Sequence, residues 1–469
     1  MTKEQRQVPI TVVIFGITGD LAHRKLIPSL FELWESGNTP ERFRIVGFSR
    51  REFSDEVLRA DLSQTLRTRD EAKKQQFLSL ISYKQGDFSN LDSYKDLSKY
   101  LSEFDKKWKV CSNKLLYLAV PPHLYANILE KIHDSGLSIP CGGRSGFNRV
   151  LIEKPFGNDL KTAKKLDALL GKLFKEEQIY RIDHYLGKET LQNILTFRFS
   201  NTIFEPLWNS KHIEKIEIDL FEKNTVSDRG VFYDALGALK DVGQNHMLAM
   251  LSLILMSKPH QNSSEAIREK RQEILKSIKV PEWKVFKGES RRMQYQGFKK
   301  ELGVTTLSDT ETYFEVGLRV SDKRWRGLRV LLRSGKALSE NKTQIKIYFK
   351  DPDPKTYLPN QFTLQEKNIL TFNIQPDEGI SLLFWFKVPG FESKIEPRKL
   401  HFKYADGASS IPDAYERVLY DCMMGDQTLF PSTKEIMHQW KIIENLQTQF
   451  KKLPLVSYKQ NTDPNKFKN

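Results

Sequence analysis

A chain of 469 residues with a formal net charge of +15 is longer than one hydrophobic core usually serves, so two domains are expected. With 39% hydrophobic and 11% aromatic residues it can bury large cores, which excludes a disordered chain. The positive surplus favours nucleotides, sugar phosphates, nucleic acid or an anionic membrane face without choosing among them, and a generally basic surface accounts for most of it. Cys111, Cys141 and Cys422 are scattered with no Cys-x-x-Cys, so neither a zinc site nor a structural disulfide is expected. Residues 1–9 are polar, and the most apolar run, Leu248 to Met256, is too short to span a bilayer. The expectation is a soluble cytoplasmic protein.

Ile10 to Phe15 is apolar except for Thr11 and rich in β-branched residues, which reads as a buried parallel strand. It runs into Gly16-Ile17-Thr18-Gly19-Asp20-Leu21-Ala22. Leu21, Leu26, Leu30, Phe31 and Trp34 then recur at helical spacing, with Pro28 expected to kink the helix early. Strand, glycine turn and helix form the context of a dinucleotide site: glycine admits the pyrophosphate close to the backbone, and the helix start offers free N–H groups. The pattern is Gly-x-x-Gly-x-x-Ala, with Thr18 where a second glycine is usual. A glycine turn without a ligand is the alternative.

A second strand, Phe43 to Phe48, ends in Ser49-Arg50-Arg51, where the adenosine ribose would be read. An arginine there accommodates the 2′-phosphate of NADP and an acid the hydroxyl of NAD. Arg50 favours NADP, although Glu52 follows closely. Residues Glu52 to Leu80 read as polar helix, and Lys114 to Val120 as a strand stopped by Pro121-Pro122. Pro140 to Asn148 reads as a glycine-rich loop. Arg149 to Ile152 is the next strand, and Glu153-Lys154-Pro155-Phe156-Gly157 puts a lysine at its C-terminal end. Lys161 to Lys175 reads as an amphipathic helix.

Arg181-Ile182-Asp183-His184-Tyr185-Leu186-Gly187-Lys188-Glu189 packs acid, imidazole and ammonium together. A helix beginning near Tyr185 would set His184 and Lys188 one turn apart on one face, an arrangement suited to a phosphate. Asp183 could orient an imidazole from elsewhere; equally, it could be an N-cap. Beyond Thr190 short alternating strands are expected at Ile213 to Phe221, Tyr313 to Val320, Leu328 to Leu332, Gln344 to Phe349, Ile369 to Ile374 and Leu382 to Val388. They imply one large, mainly antiparallel sheet with helices to one side. Asp234 to Met256, Ala414 to Met424 and Lys434 to Leu446 read as helices, and Lys451 to Asn469 as a frayed basic tail. The basic segment Arg268 to Lys300 interleaves aromatics and acids, so it reads as solvated helix and loop rather than a nucleic-acid surface. His246, in Gln244-Asn245-His246, is a satisfied core histidine or a catalytic one.

Together these stretches, with Gly335-Lys336-Ala337-Leu338, Gln375-Pro376-Asp377-Glu378 and Tyr415-Glu416-Arg417, resemble glucose-6-phosphate dehydrogenase over nearly the whole chain. The resemblance implies a Rossmann-like α/β domain (residues 1–180) followed by an α+β domain (residues 181–469) for substrate binding and dimerisation, as a homodimer or dimer of dimers. It implies hydride transfer from C1 of glucose 6-phosphate to NADP, the first step of the oxidative pentose phosphate pathway. On the matching positions His246 is the base and Asp183 its carboxylate partner. His184, Tyr185 and Lys188 form the phosphate pocket, Lys154 serves sugar and cofactor, and Glu222, Asp241 and Lys336 bind the sugar. Gly16, Thr18, Gly19, Asp20, Leu21, Arg50 and Tyr125 bind NADP; no metal is expected. Asn341 stands where the family usually has arginine or lysine, which removes one substrate contact unless the adjacent Lys342 supplies it. Around Ser381 and Leu383 the chain lacks the tyrosine and lysine that hold a structural NADP in animal members, so no second NADP site is expected. Another NADP-linked sugar oxidoreductase, or an inactive basic binding protein on the same fold, are the competing readings. The cluster from Asp183 to Lys188 and the intact His246 argue against them, and neither nucleic acid nor membrane is expected as a partner.

Overall fold

A computed structural model describes residues 6–141, 146–351, 367–392, 394–406 and 411–467. These divide into two compact units, residues 1–187 with 263–265 and 412–433, and residues 188–262 with 266–411 and 434–469. The domain boundary expected from the sequence falls after residue 180. In the structure the first unit runs on to Gly187 and takes back the helix Ala414–Met424, which packs on the turn His184–Gly187 and the helix Ile27–Glu35.

The first unit is built on six strands: β1 (Ile10–Phe15), β2 (Phe43–Ser49), β3 (Ile81–Gln85), β4 (Asn113–Leu118), β5 (Asn148–Glu153) and β6 (Ile179–Ile182). They pair in the order β3-β2-β1-β4-β5-β6, all parallel. Every residue of β1 and β4 is buried, as a parallel sheet covered on both faces requires. The strand order reverses beside β1, which places a crevice at the C-terminal ends of β1 and β4. The Pro28 kink has a definite form. Ala22–Leu26 is a π-turn closed by Ile27 N–H to Ala22 O, and the α-helix proper starts at Ile27 with Pro28 in its first turn. There a missing N–H costs nothing.

One expectation is overturned in this unit: Cys111 and Cys141 are joined as a disulfide, and Cys422 is the buried free thiol. The cysteines lie 30 residues apart in sequence, but Cys111 precedes β4 and Cys141 leads toward β5, and β4 and β5 are neighbours whose leading ends adjoin. Asp105 lies with them, and its carboxylate is 2.7 Å from the Lys114 ammonium, which already supplies a cation. Residues 142–145 of the expected glycine-rich loop lie outside the described residues.

The second unit carries β7 (Ile213–Phe221), β8 (Ile278–Lys279), β9 (Arg291–Tyr295), β10 (Tyr313–Val320), β11 (Arg329–Gly335), β12 (Lys342–Phe349), β13 (Ile369–Gln375), β14 (Gly379–Lys387), β15 (Ile395–Lys403) and β16 (Leu455–Tyr458). The sheet runs β15-β14-β13-β12-β7-β11-β10-β9-β16, with β8 beside β10. It is antiparallel except at β7/β11 and β9/β16. The tail expected to fray instead supplies β16, and Tyr458 is buried with its hydroxyl donating 2.6 Å to Lys336 O. Nor is Arg268 to Lys300 simply solvated: Arg268, Arg271 and Arg292 are buried, and Arg291–Tyr295 is a sheet strand. The stretch Asp234 to Met256 is not one helix. Gly237, at φ 71° and ψ 168°, breaks it, and a π-helix, Leu239–Met247, follows.

Candidate active site

The glycine turn leaves β1 with Gly16 at φ 87°, and a Cβ there would come 2.6 Å from Ala119 O beyond β4. Only glycine fits this close crossing of two strand ends. Thr18 Oγ1 lies 3.1 Å from Ser49 Oγ, which ties the turn to the end of β2. The Asp20 carboxylate meets Arg24 at 2.8 Å in solvent, and Leu21 leads into the π-turn. Arg50 is exposed, its guanidinium 5.9 Å over the Phe88 ring. The loop bearing it is pinned by Tyr83, whose hydroxyl donates to Ser49 O (2.9 Å) and Arg51 O (2.6 Å). Tyr83 carried no sequence signal, because its role appears only when β3 pairs beside β2.

Tyr125 is buried, and its hydroxyl donates 3.0 Å to Glu153 O. It therefore braces the turn that presents Lys154, and it lines a cleft of about 320 Å³ with Pro122, Pro155, Gly157, Thr162 and Leu166. The Glu153 carboxyl, missed in the sequence, receives the Tyr117 hydroxyl at 2.6 Å and that of Tyr415. Burial pushes it above the ordinary carboxylate range, against the pull of those two hydroxyls. Tyr415 also stacks on His184, centroids 5.7 Å apart and planes 12° from parallel.

The expected helix from Tyr185 does not form. His184–Gly187 is a 3₁₀ turn, and the α-helix starts at Glu189 with Lys188 at its N-cap. Asp183 is 2% exposed and accepts from Tyr185 N–H at 3.1 Å, so it does cap the turn. Asp183, His184, Tyr185 and Lys154 belong to the first unit; Lys188, Glu222, Asp241, His246 and Lys336 belong to the second.

In the second unit Lys336 Nζ lies 2.6 Å from Glu222 Oε2 and 5.5 Å from the Tyr233 ring. These three, with Asn224, Ser227 and Arg229, line a polar pocket of about 430 Å³. Burial raises the Tyr233 phenol, and the carboxylates of Asp241 and Glu222 raise it further, which places Asp241 in the same neighbourhood. The Lys336 ammonium and the Glu222 carboxylate at one polar pocket offer donors and acceptors for sugar hydroxyls. His246, 1% exposed, follows Asp241 by five residues on the π-helix, one turn of i→i+5 bonding. Lys188 Nζ lies 3.4 Å from Glu378 Oε1, within the Gln375-Pro376-Asp377-Glu378 stretch.

Asn341 has a structural partner: its Oδ1 accepts from Lys223 N–H at 2.8 Å, next to Glu222. Asn341→Arg is therefore expected to loosen the Glu222 turn and raise the KM for the sugar about twofold to tenfold, the worth of one neutral hydrogen bond. A lower KM would show that a guanidinium there gains more than the turn loses.

A glycine-turn dinucleotide sheet, with a second unit bearing a polar pocket and a buried histidine, defines a two-domain nicotinamide-dependent dehydrogenase. The "Glucose-6-phosphate dehydrogenase, NAD binding domain" family matches residues 13–193, and the "Glucose-6-phosphate dehydrogenase, C-terminal domain" family matches residues 195–468. The chain is 36% identical to glucose-6-phosphate 1-dehydrogenase of Chlamydia muridarum, over 95% of this chain and 91% of that one. To the Bacillus subtilis enzyme of the same name it is 34% identical, over 95% and 92%. A solved glucose-6-phosphate dehydrogenase in complex with its substrate glucose-6-phosphate superposes with a TM-score of 0.89 at 31% identity, covering 97% of this chain and 95% of that one. The chain belongs to the glucose-6-phosphate dehydrogenase family.

Proposed function

We propose that the chain oxidises glucose 6-phosphate at C1 with NADP, with His246 as the base and Asp183 as the carboxylate that orients it. The full-length match to enzymes of that activity, with both family halves in order, is the observation that carries this reading. A glycine turn between β1 and the start of a helix, with Arg50 exposed past β2 to meet the 2′-phosphate, supports NADP as the cofactor. Gly16, Thr18, Gly19, Asp20, Leu21, Arg50, Tyr125 and Lys154 would hold it. When bound, NADP supplies the nicotinamide that accepts the two electrons and hydrogen leaving C1.

His246 takes the proton from the C1 hydroxyl, which lets the C–O bond become the lactone carbonyl. Asp183 fixes the imidazole tautomer and stabilises the imidazolium. His184, Tyr185 and Lys188 hold the phosphate, whose binding energy orients the distant reacting carbon. Lys154, Glu222, Asp241 and Lys336 bind the sugar hydroxyls. The direct test mixes purified protein with glucose 6-phosphate or glucose and NADP or NAD, following nicotinamide absorbance. Reduction with free glucose as fast as with the phosphate ester would refute the phosphate assignment.

Arg50→Ala tests cofactor choice. A charge-assisted bond is worth about 1.5–3 kcal/mol, so the KM for NADP should rise about tenfold to a hundredfold while that for NAD barely moves. Equal changes would move the assignment to Arg51.

The same reading includes a homodimer or dimer of dimers and a cytoplasmic location. Phe386, Leu400 and Phe402 are exposed on β14 and β15, an apolar patch that supports association through the large sheet. Light scattering would test the first and cell fractionation the second. No helix of the described residues is long and apolar enough to cross a membrane.

A further inference from the structure

Between the sugar pocket and the helix bearing His246 runs the segment 308–312, and it bonds to both. Lys336 N–H donates to Thr312 O at 3.0 Å, Thr310 Oγ1 donates to Asp234 O at 2.6 Å, and the Ser308 hydroxyl bonds Asp234. At its centre is Glu311. Ala238 N–H donates to Glu311 O and Leu239 N–H to Glu311 Oε1, both at 3.1 Å. These are the donors that Gly237 exposes by breaking the helix, and a Cβ on Gly237 would meet Glu311 Oε1 at 2.5 Å. The broken helix, the glycine and the acid thus form one device: a carboxylate set against the start of a helix, where the dipole favours it. That helix carries Asp241 two residues on and His246 one further turn along.

We propose that Glu311 is a positioning residue, which caps the helix of Asp241 and His246 and holds it in register with the Lys336 turn, so that the proton transfer depends on it without its touching substrate. The proposal rests on the reading of His246 as base. Burial pushes the Glu311 carboxyl up to about 7, opposed by its bond from Leu239 N–H and by Arg292 and Lys240; the Tyr233 phenol also faces it. Its ordinary value is 4.5, so the native protein binds more protons than the unfolded chain between those values. Stability from this group is therefore present at low pH and lost as pH rises through about 7.

The test measures kcat, both KM values and Tm at pH 8 for Glu311→Gln and Glu311→Ala, with kcat normalised to folded enzyme. Glu311→Gln should keep or raise Tm, leave the KM for NADP unchanged and lower kcat about tenfold. Glu311→Ala should lower kcat about a hundredfold, the scale of a small misplacement at a reacting centre. Wild-type turnover in Glu311→Gln beside an inactive His246→Asn enzyme would overturn this inference alone. An active His246→Asn enzyme would overturn the reading beneath it. A fall in activity that only tracks lost folding, or an equal rise in the KM for NADP, would also overturn the inference.

Discussion

Replacing His246 by asparagine is expected to lower kcat by about 10²–10⁴, the usual share of general-base catalysis. The amide keeps polarity but cannot take a full proton. Substrate binding should survive, because the phosphate contacts assigned to His184, Tyr185 and Lys188 are separate side chains. His246 is 1% exposed on a helix whose next stretch, Leu248–Leu255, is wholly buried, so the surrounding packing holds the position while a smaller polar amide replaces the ring. Under the proposed pairing Asp183→Asn should also slow turnover, and the double variant should lose less than the product of the two factors, as residues acting as a unit do. Wild-type kcat/KM should fall on the acid side as the imidazole protonates, and the asparagine variant should lack that limb. Near wild-type turnover in His246→Asn would return the histidine to a core role.

Local rules made much of this legible in the sequence. The period of β1, the glycine turn after it, the Arg50 step after β2 and the alternating strands Tyr313–Val320 and Ile369–Gln375 depend on neighbours in the chain. What stayed hidden depends on partners far away. Tyr83 matters because β3 lies against β2, and Glu153 because Tyr117 and Tyr415 converge on it. Glu311 reads as one more acid until its helix breaks at Gly237. The disulfide is not legible in the sequence because the spacing of cysteines says nothing of strand adjacency. β16 is hidden because its four residues, Leu455–Tyr458, are too few to show a period inside a basic tail; of them Tyr458 alone is buried. The helix starts at Glu189 and not near Tyr185 because Asp183 caps a 3₁₀ turn instead, a choice Asp makes equally well.

Some of the charged side chains are internal, and the pair Arg271–Glu435 tests what that burial costs. Arg271 Nε meets Glu435 Oε1 at 2.7 Å and Nη2 meets Oε2 at 3.3 Å, with the two side chains 1% and 3% exposed. Such a pair returns little net energy for the desolvation of two ions, but removing one partner strands the other in a dry core. Arg271→Met is expected to destabilise by about 3–5 kcal/mol. In a unit of this size that is a fall in melting temperature of roughly 6–20 °C. The measurement is a calorimetric scan resolving the transition of the second unit, because two units need not melt together. Arg271→Met with Glu435→Leu should recover most of the loss, since neither charge is then left buried and the volumes are nearly kept. A single variant that melts within about 2 °C of wild type would show that water reaches Glu435. A double variant as unstable as the single would show instead that the guanidinium's other partners, not this carboxylate, set the cost.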